Sequence, residues 1–262
     1  MGRLDGGQAR AASPGRIDAV TDRHILFATG APGSGWSGLL HAMRFAFGVN
    51  DSDLAPHRVY FGLAESDSRP CHTGSYFGPG MEFGDAFTNL DRLHREDITG
   101  EIDRAFPAGG GTLIVKGHIF AYHLTFLRET FPDASFVLVH RPDHACLEWW
   151  LRIGGFQIPY PDYRWYEDIE RMRLCIEKEN RSIIAFARDA SARLRPYHSL
   201  SQLLEDMGML LSADRIAELA GTAKIGGWGA GRDVGELRAD LERATLGMQI
   251  AFVPPTKGPR DS

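Results

Sequence analysis

The feature that most constrains this chain is a glycine-rich turn at residues 30–37, Gly-Ala-Pro-Gly-Ser-Gly-Trp-Ser. It follows an apolar run at residues 25–29, which predicts a buried strand, and precedes a helix-like run at residues 39–43. A strand that leads through such a turn into a helix directs backbone N–H groups at one point, where a phosphate or sulfate oxygen is stabilised. The turn matches the pattern G-x-x-x-x-G-K-[ST] except that Trp36 stands where the pattern has lysine. The sequence predicts an anion site here, with an ordinary glycine-rich turn as the alternative.

A second candidate site follows the run Thr-Leu-Ile-Val at residues 112–115, which also predicts a buried strand. Lys116 and His118 come directly after it, and ligands of open parallel sheets bind beyond the carboxyl ends of the strands. The chain has only four lysines, so a lysine at a strand end is an uncommon placement. Lysine supplies a compact positive charge, and histidine accepts a proton near neutral pH. The alternative is a solvated lysine beside a structural histidine.

A third segment, residues 135–140, predicts another buried strand, and residues 145–151 predict a helix. Arg141, Pro142 and Asp143 lie between them. An arginine on a rigid turn at a strand end is a bidentate donor for anions. Three predicted strands therefore end in residues suited to anions.

Composition limits the class of protein. A chain of 262 residues, 43% hydrophobic and 24% charged, is long enough for one sizeable α/β domain. A net charge of −5 argues against binding to nucleic acid or to anionic membranes. Three cysteines without C-x-x-C spacing suggest neither a disulfide framework nor a zinc site, and no long apolar run or signal peptide is evident. We expect a cytoplasmic protein, and a homo-oligomer is compatible with this sequence.

The remaining pattern predicts one domain at residues 23–252, between a mobile leader at 1–22 and a flexible tail at 253–262. Helices are predicted at residues 89–106, 119–130 and 162–189, and a further strand at 57–61. The last helix carries an apolar stripe of Trp165, Ile169, Met172 and Ile176, interpreted as core. Two loops rich in aromatic residues, at 69–83 and 149–166, are candidates for an acceptor site.

The order of these segments resembles that of the sulfotransferases that use 3′-phosphoadenylyl sulfate. Residues 32–37 resemble the family's loop for the 5′-phosphosulfate, and residues 116–118 resemble its Lys-Thr-His segment. Residues 137–143 are similar to the family's strand and turn that contact the 3′-phosphate. Residues 195–200 look like a diverged counterpart of the segment that touches the adenine, and an amphipathic pair follows at 203–206 and 216–219.

The resemblance implies a three-layer α/β/α fold with a central, mostly parallel sheet of the P-loop type. It also implies transfer of a sulfuryl group from 3′-phosphoadenylyl sulfate to a hydroxyl or amine of a small acceptor, without a metal. The residues that it assigns to the phosphosulfate are Gly33, Ser34, Gly35, Trp36 and Ser37. Lys116 would neutralise the leaving phosphate and His118 would remove the acceptor proton. Arg141 would bind the 3′-phosphate, and Tyr197 would contact the adenine.

The chain also departs from the family. Gly33 aligns with the loop lysine, and the serine that follows the family's arginine has no counterpart after Arg141. Lys224 and Arg232 are the basic candidates for the family's C-terminal Arg-Lys-Gly loop. Two alternatives stay open: a non-catalytic nucleotide-binding protein, favoured by the missing lysine, and a small-molecule kinase, disfavoured by Trp36.

Overall fold

The computed structural model of the protein describes residues 22–62, 70–157, 168–222 and 226–256. The strands are β1 (Arg23–Gly30), β2 (Val59–Phe61), β3 (Pro70–Thr73), β4 (Gly111–Lys116), β5 (Ser135–His140), β6 (Arg195–Pro196) and β7 (Gln249–Val253). The α-helices are α1 (Trp36–Met43), α2 (Arg95–Ala105), α3 (Leu124–Thr130), α4 (Asp143–Arg152), α5 (Ile169–Asp189), α6 (Leu200–Asp206), α7 (Ala213–Gly221) and α8 (Val234–Glu242). The 3₁₀ helices are Pro56–Arg58, Asp85–Arg92, His118–Tyr122, Gly155–Gln157 and Arg243–Thr245.

The central sheet has five strands in the order β4-β1-β5-β7-β6. β1 lies between β4 and β5 and runs parallel to both, whereas β7 runs antiparallel to β5 and β6. Four of the five strands therefore point in one direction, which confirms the predicted mixed α/β fold with a mostly parallel sheet. The predicted strands at residues 25–29, 112–115 and 135–140 are β1, β4 and β5. Their carboxyl ends meet at one edge of the sheet, so the three candidate segments start close together.

Side chains alternate between the two faces of this sheet and meet helices on both. Leu26 and Ala28 of β1 belong to a core formed with α1, α6, α7 and α8. Phe27 belongs to a second core formed with α2, α3 and α5. Continuous apolar runs are typical of strands that are buried on both faces, which explains the composition of β1 and β5.

Two predicted helices are interrupted, the first where a local cap competes with helix continuation. Within residues 89–106, the chain is extended at Leu93, and α2 begins after His94. The His94 N–H donates to the Asp97 carboxylate at 3.1 Å, a reciprocal cap that starts the new helix. Residues 119–130 likewise divide into a 3₁₀ helix and α3.

The predicted helix at residues 162–189 begins at Ile169, where the Asp168 carboxylate accepts a hydrogen bond from the Arg171 N–H at 2.8 Å. Trp165 lies outside the described residues. Met172 and Ile176 are buried as predicted, but the prediction for Ile169 was wrong because its side chain is 49% exposed. Ile169 lies in the first turn, beyond the small core formed by α4 and the next turns of α5.

The predicted ends of the domain are described only in part. β7 ends at Val253, and the Thr256 N–H donates to the Pro132 carbonyl at 2.9 Å. Residues 1–21 of the predicted leader and 257–262 of the predicted tail lie outside the described residues. Within the described ranges, no helix combines the length and the apolar character needed to cross a bilayer.

Candidate functional site

The turn between β1 and α1 has the backbone of an anion-binding loop. Gly33 and Gly35 adopt left-handed conformations, with φ of 77° and 87°. Gly35 precedes the first residue of α1, and no side chain caps that helix. In the described part of the chain, the N–H groups of Trp36, Ser37 and Gly38 have no hydrogen-bond acceptor. These unpaired donors at the positive end of a helix are suited to a phosphate or sulfate.

The glycine at position 33, which the resemblance aligns with a lysine, has a steric explanation. A Cβ atom at Gly33 would lie 1.9 Å from the Cys146 carbonyl oxygen of α4, and 2.8 Å from the Trp150 Cβ. The positive φ would also strain any other residue there. The backbone of α4 therefore occupies the space from which a lysine side chain would start.

Two serines of the turn have hydroxyls without a protein partner among the described residues. Ser37 is 8% exposed and Ser34 is fully buried, yet neither Oγ makes a hydrogen bond. A buried hydroxyl left unpaired costs about 1–3 kcal/mol. Only Ser37 borders the cavity described next, so a ligand there can supply its partner.

A cavity of about 380 Å³ opens beside this turn, within the usual size for small-molecule sites. The predicted site residues that line it are Gly33, Gly35, Trp36, Ser37, His118 and Arg141. The two segments proposed as acceptor loops also contribute, through Cys71 and His72, which here belong to β3, and through Trp149, which belongs to α4. The end of the second loop, residues 158–166, lies outside the described residues.

His118 is held at the cavity wall by a carboxylate. Its Nδ1 lies 3.1 Å from Glu179 Oε2, and the two residues are 8% and 1% exposed. The other carboxylate oxygen, Oε1, accepts a hydrogen bond from the Tyr122 hydroxyl at 3.3 Å. Burial and the Glu179 charge raise the pKa of Tyr122, so that hydroxyl stays a donor. A carboxylate on Nδ1 orients an imidazole and stabilises its protonated form, the arrangement of a general base.

Sequence reasoning missed Glu179, although a signal was present. Met172, Ile176 and Ile183 form the buried stripe of α5, and Glu179 occupies a position within it. A carboxylate in an apolar stripe must find a partner in the core, because an isolated buried charge is strongly unfavourable.

Arg141 is one of two arginines among the described residues that line the cavity, the other being Arg243. The Arg141 guanidinium lies 5.5 Å from the Trp149 ring, and no carboxylate of the described residues forms an ion pair with it. The side chain is half-buried, which leaves its N–H donors available to a ligand. The predicted role of Arg141 in anion binding is compatible with this position.

Lys116 lies elsewhere. It is 1% exposed, is absent from the cavity lining, and its Nζ donates a hydrogen bond to the Thr73 carbonyl. Burial and, secondly, the charge of Arg44 lower the pKa of Lys116 to about 7, against an opposing effect of Asp53. His118 therefore lines the cavity and Lys116 does not, whereas the sequence suggested that they act together.

Ser34 and Tyr197 are also outside the lining of the cavity. The Tyr197 hydroxyl donates to Asp206 Oδ2 at 2.7 Å, and its ring is part of the core on the α1 face of the sheet. The predicted contact between Tyr197 and an adenine therefore has no support from its position.

The charges around the cavity favour anions. Asp240 is the only carboxylate among the described lining residues, and its two oxygens accept hydrogen bonds from Arg232 and Arg243. Burial opposes ionisation, but these two arginines lower the pKa of Asp240 and keep it charged and paired. His72 has its pKa well below the ordinary value because of burial and the nearby Lys116 and His118, so its imidazole is neutral.

In comparisons with known proteins, the chain matches no protein-family model, no curated protein and no solved structure. The likeness to sulfotransferases therefore depends on the order of the sequence segments. The cavity adds the chemistry of its own residues, independently of any relative.

Proposed function

We propose that the protein is a sulfotransferase that moves a sulfuryl group from 3′-phosphoadenylyl sulfate to a hydroxyl of a small acceptor. One observation carries the proposal: the N-terminus of α1, where no side chain caps the helix and the Ser37 hydroxyl lacks a partner among the described residues, borders the same cavity as His118, which Glu179 holds from behind. Sulfuryl transfer needs an anion site and a proton acceptor side by side. The proposal includes a P-loop, sulfotransferase-like assignment of the fold.

In the proposed reaction, His118 removes the proton of the acceptor hydroxyl as its oxygen bonds to the sulfur. The bond between sulfur and the bridging oxygen of the phosphosulfate breaks, and its electron pair goes to that oxygen. The products are a sulfate ester and adenosine 3′,5′-bisphosphate. Glu179 stabilises the imidazolium that His118 becomes, because its carboxylate lies on Nδ1.

Charge on the departing phosphate is stabilised by the chain without a loop lysine. The N–H groups at the start of α1 and the Ser37 hydroxyl are fixed donors, and such preorganised donors act strongly where water is excluded. Arg141 binds the 3′-phosphate in this proposal. Lys116 does not contact the transferred group in this proposal, because its Nζ donates a hydrogen bond to the Thr73 carbonyl instead.

The cavity favours a hydroxyl acceptor over an amine. A protonated amine needs a carboxylate partner, and both oxygens of Asp240, the one carboxylate in the described lining, already bond arginines. The aromatic walls, which include Trp36 and Trp228, suit an uncharged ring or chain bearing the hydroxyl.

Non-catalytic nucleotide binding is the second candidate, and the position of Lys116 favours it. The family's loop lysine is replaced by Gly33, and the second expected cation is buried outside the cavity lining. A protein with this site could hold a nucleotide without transferring its sulfate.

Calorimetry and a transfer assay separate these functions. We expect tight binding of adenosine 3′,5′-bisphosphate and weak binding of ATP and GTP, and transfer of labelled sulfate to simple alcohols and phenols. His118→Ala should lower kcat by about 10²–10⁴-fold and leave bisphosphate affinity nearly unchanged. His140→Ala, which alters a histidine outside the cavity lining, is the control. Bisphosphate binding without any transfer supports the non-catalytic candidate, and preference for ATP contradicts the sulfotransferase.

A further inference from the structure

Helix α5 buries two consecutive polar residues, Glu179 and Asn180, which are 1% and 2% exposed. Buried polar groups are costly unless they are hydrogen-bonded, so each needs a partner. Glu179 meets His118, as described above. Asn180 Nδ2 donates to the Arg141 carbonyl at 2.9 Å and to Asp143 Oδ1 at 2.6 Å.

The bonds from Asn180 fix the turn that carries Arg141. Both protons of the Asn180 amide are used, and both acceptors are oxygens, so the orientation of the amide is defined. The Arg141 carbonyl also accepts a hydrogen bond from the Cys146 thiol, with Sγ at 3.3 Å. Arg141 directly follows β5 and Asp143 is the first residue of α4, so Asn180 is hydrogen-bonded to both ends of the connection between β5 and α4.

The same connection bears on the anion-binding turn. Cys146 lies in α4, and its carbonyl oxygen is the atom that leaves no room for a Cβ at Gly33. β4 and β5 flank β1 in the sheet. Glu179 of α5 therefore contacts His118, which follows β4, and Asn180 contacts Arg141, which follows β5. The two contacts lie on either side of the turn that follows β1.

We propose that Asn180 is a positioning residue that sets the Arg141 guanidinium relative to the anion-binding turn, while its neighbour Glu179 sets His118. α5 then fixes the separation between the group that binds the nucleotide and the group that takes the proton. The inference rests on the proposed function for the identity of the ligand.

The test uses two isosteric substitutions at consecutive positions. Asn180→Asp keeps the shape but removes both donors and places a carboxylate against the Arg141 carbonyl and Asp143. We expect about a 10-fold loss of affinity for adenosine 3′,5′-bisphosphate, less than twofold for 5′-AMP, and a nearly unchanged kcat at saturating donor. Glu179→Gln should do the reverse, lowering kcat by about 10- to 100-fold with bisphosphate affinity within twofold.

A matched control exists at Asn50, whose Nδ2 donates to the Gly109 and Gly110 carbonyls at 3.2 and 2.7 Å. Asn50→Asp makes the same chemical change away from the cavity and should leave the ratio of the two affinities unchanged. In an Arg141→Ala background, Asn180→Asp should cause no further loss of bisphosphate affinity. Equal losses for bisphosphate and 5′-AMP, or losses that add to those of Arg141→Ala, overturn the positioning role.

Failure of the proposed function has a different signature, because the unmodified protein then transfers no sulfuryl group. If it still binds bisphosphate, the affinity measurements for Asn180→Asp decide the inference as above. If it binds none, the crystal structure of Asn180→Asp decides: a displaced Arg141 carbonyl supports the inference, and an unmoved one contradicts it. Asn180→Ala, which adds no charge, replaces Asn180→Asp in all these measurements if that variant does not fold.

Discussion

The two ends of α1 differ in how far the protein itself supplies hydrogen-bond partners for buried polar groups. At its C-terminal end, the two terminal nitrogens of Arg44 donate to the two carboxylate oxygens of Asp53 at 2.6 and 2.8 Å. Asp53 also accepts a hydrogen bond from the Ser75 N–H, and the Thr73 carbonyl accepts from Arg44 and Lys116. At the N-terminal end, the Ser37 hydroxyl and the first N–H groups have no partner among the described residues.

This difference separates structural from ligand-binding polar groups. The charged groups at the C-terminal end pair with one another, although Arg44 Nε has no hydrogen-bond partner among the described residues. Groups at the N-terminal end are left unsatisfied at a cost that folding does not recover, which is expected where a ligand supplies the missing bonds. Lys116 belongs to the first kind by its contacts, although the sequence places it with the second.

The largest expected effect comes from breaking the Arg44–Asp53 ion pair at the C-terminal end of α1. Arg44→Leu leaves Asp53 buried without its partner and should lower the free energy of unfolding by about 3–5 kcal/mol, measured by urea denaturation. The double variant Arg44→Leu/Asp53→Leu removes both charges and should recover much of that loss. Equal instability of the single and double variants would contradict the view that the unpaired charge is the cause.

A change in the turn itself should come next. Gly33→Ala requires a left-handed alanine and overlaps the Cys146 carbonyl, so we expect a loss of about 2–4 kcal/mol in unfolding free energy. Gly38→Ala is the matched control in α1, because a Cβ there meets no atom within 4 Å, and it should leave stability equal or higher. A Gly33→Ala protein of parental stability would show that the turn is free to move away from α4.

The lowered pKa of Lys116 predicts how the free energy of unfolding depends on pH. Its pKa is about 7 in the folded protein, below the ordinary value of about 10.4, so between these values the unfolded chain binds more protons. Stability of the parent should therefore rise with pH through this window, by about 2 kcal/mol between pH 7.5 and 9 relative to Lys116→Met. Denaturation curves at several pH values measure the difference. Parallel curves for the two proteins mean that Lys116 keeps an ordinary pKa.

The smallest expected effect tests the N-terminal end of α1, where the Ser37 hydroxyl has no partner among the described residues. Ser37→Ala removes a hydroxyl that has no protein partner, so stability should be unchanged or slightly higher, while bisphosphate affinity should fall by about 0.5–1.5 kcal/mol. Ser34→Ala removes an equally unpartnered hydroxyl that does not border the cavity, and it should leave the affinity unchanged. Calorimetry that finds the same affinity for both variants would remove Ser37 from the ligand site.

The parts of the fold that the sequence predicted are those encoded by neighbouring residues. β1, β4 and β5 were predicted because continuous apolar runs are local signals, and the turn because its glycines are adjacent. β7 was not predicted, since only its long-range pairing with β5 and β6 makes it part of the sheet.

The candidate site was predicted where side chains follow the backbone and missed where they depend on distant partners. Alternation along β4 places Lys116 on the same face as Ile114, towards the core beside α1, so its burial could have been inferred. Glu179 and Asn180 act on residues roughly 40 to 60 positions away in the chain, and no local pattern specifies such partners.

The aromatic lining of the cavity has an optical consequence. Four of the chain's five tryptophans border it: Trp36, Trp149, Trp150 and Trp228. Trp36 lies 5.1 Å from the His118 ring, measured between ring centroids. Indole emission depends on local polarity and on nearby charge. Filling of the cavity therefore acts on the protein's own fluorescence, which reports on a bound ligand without an added dye.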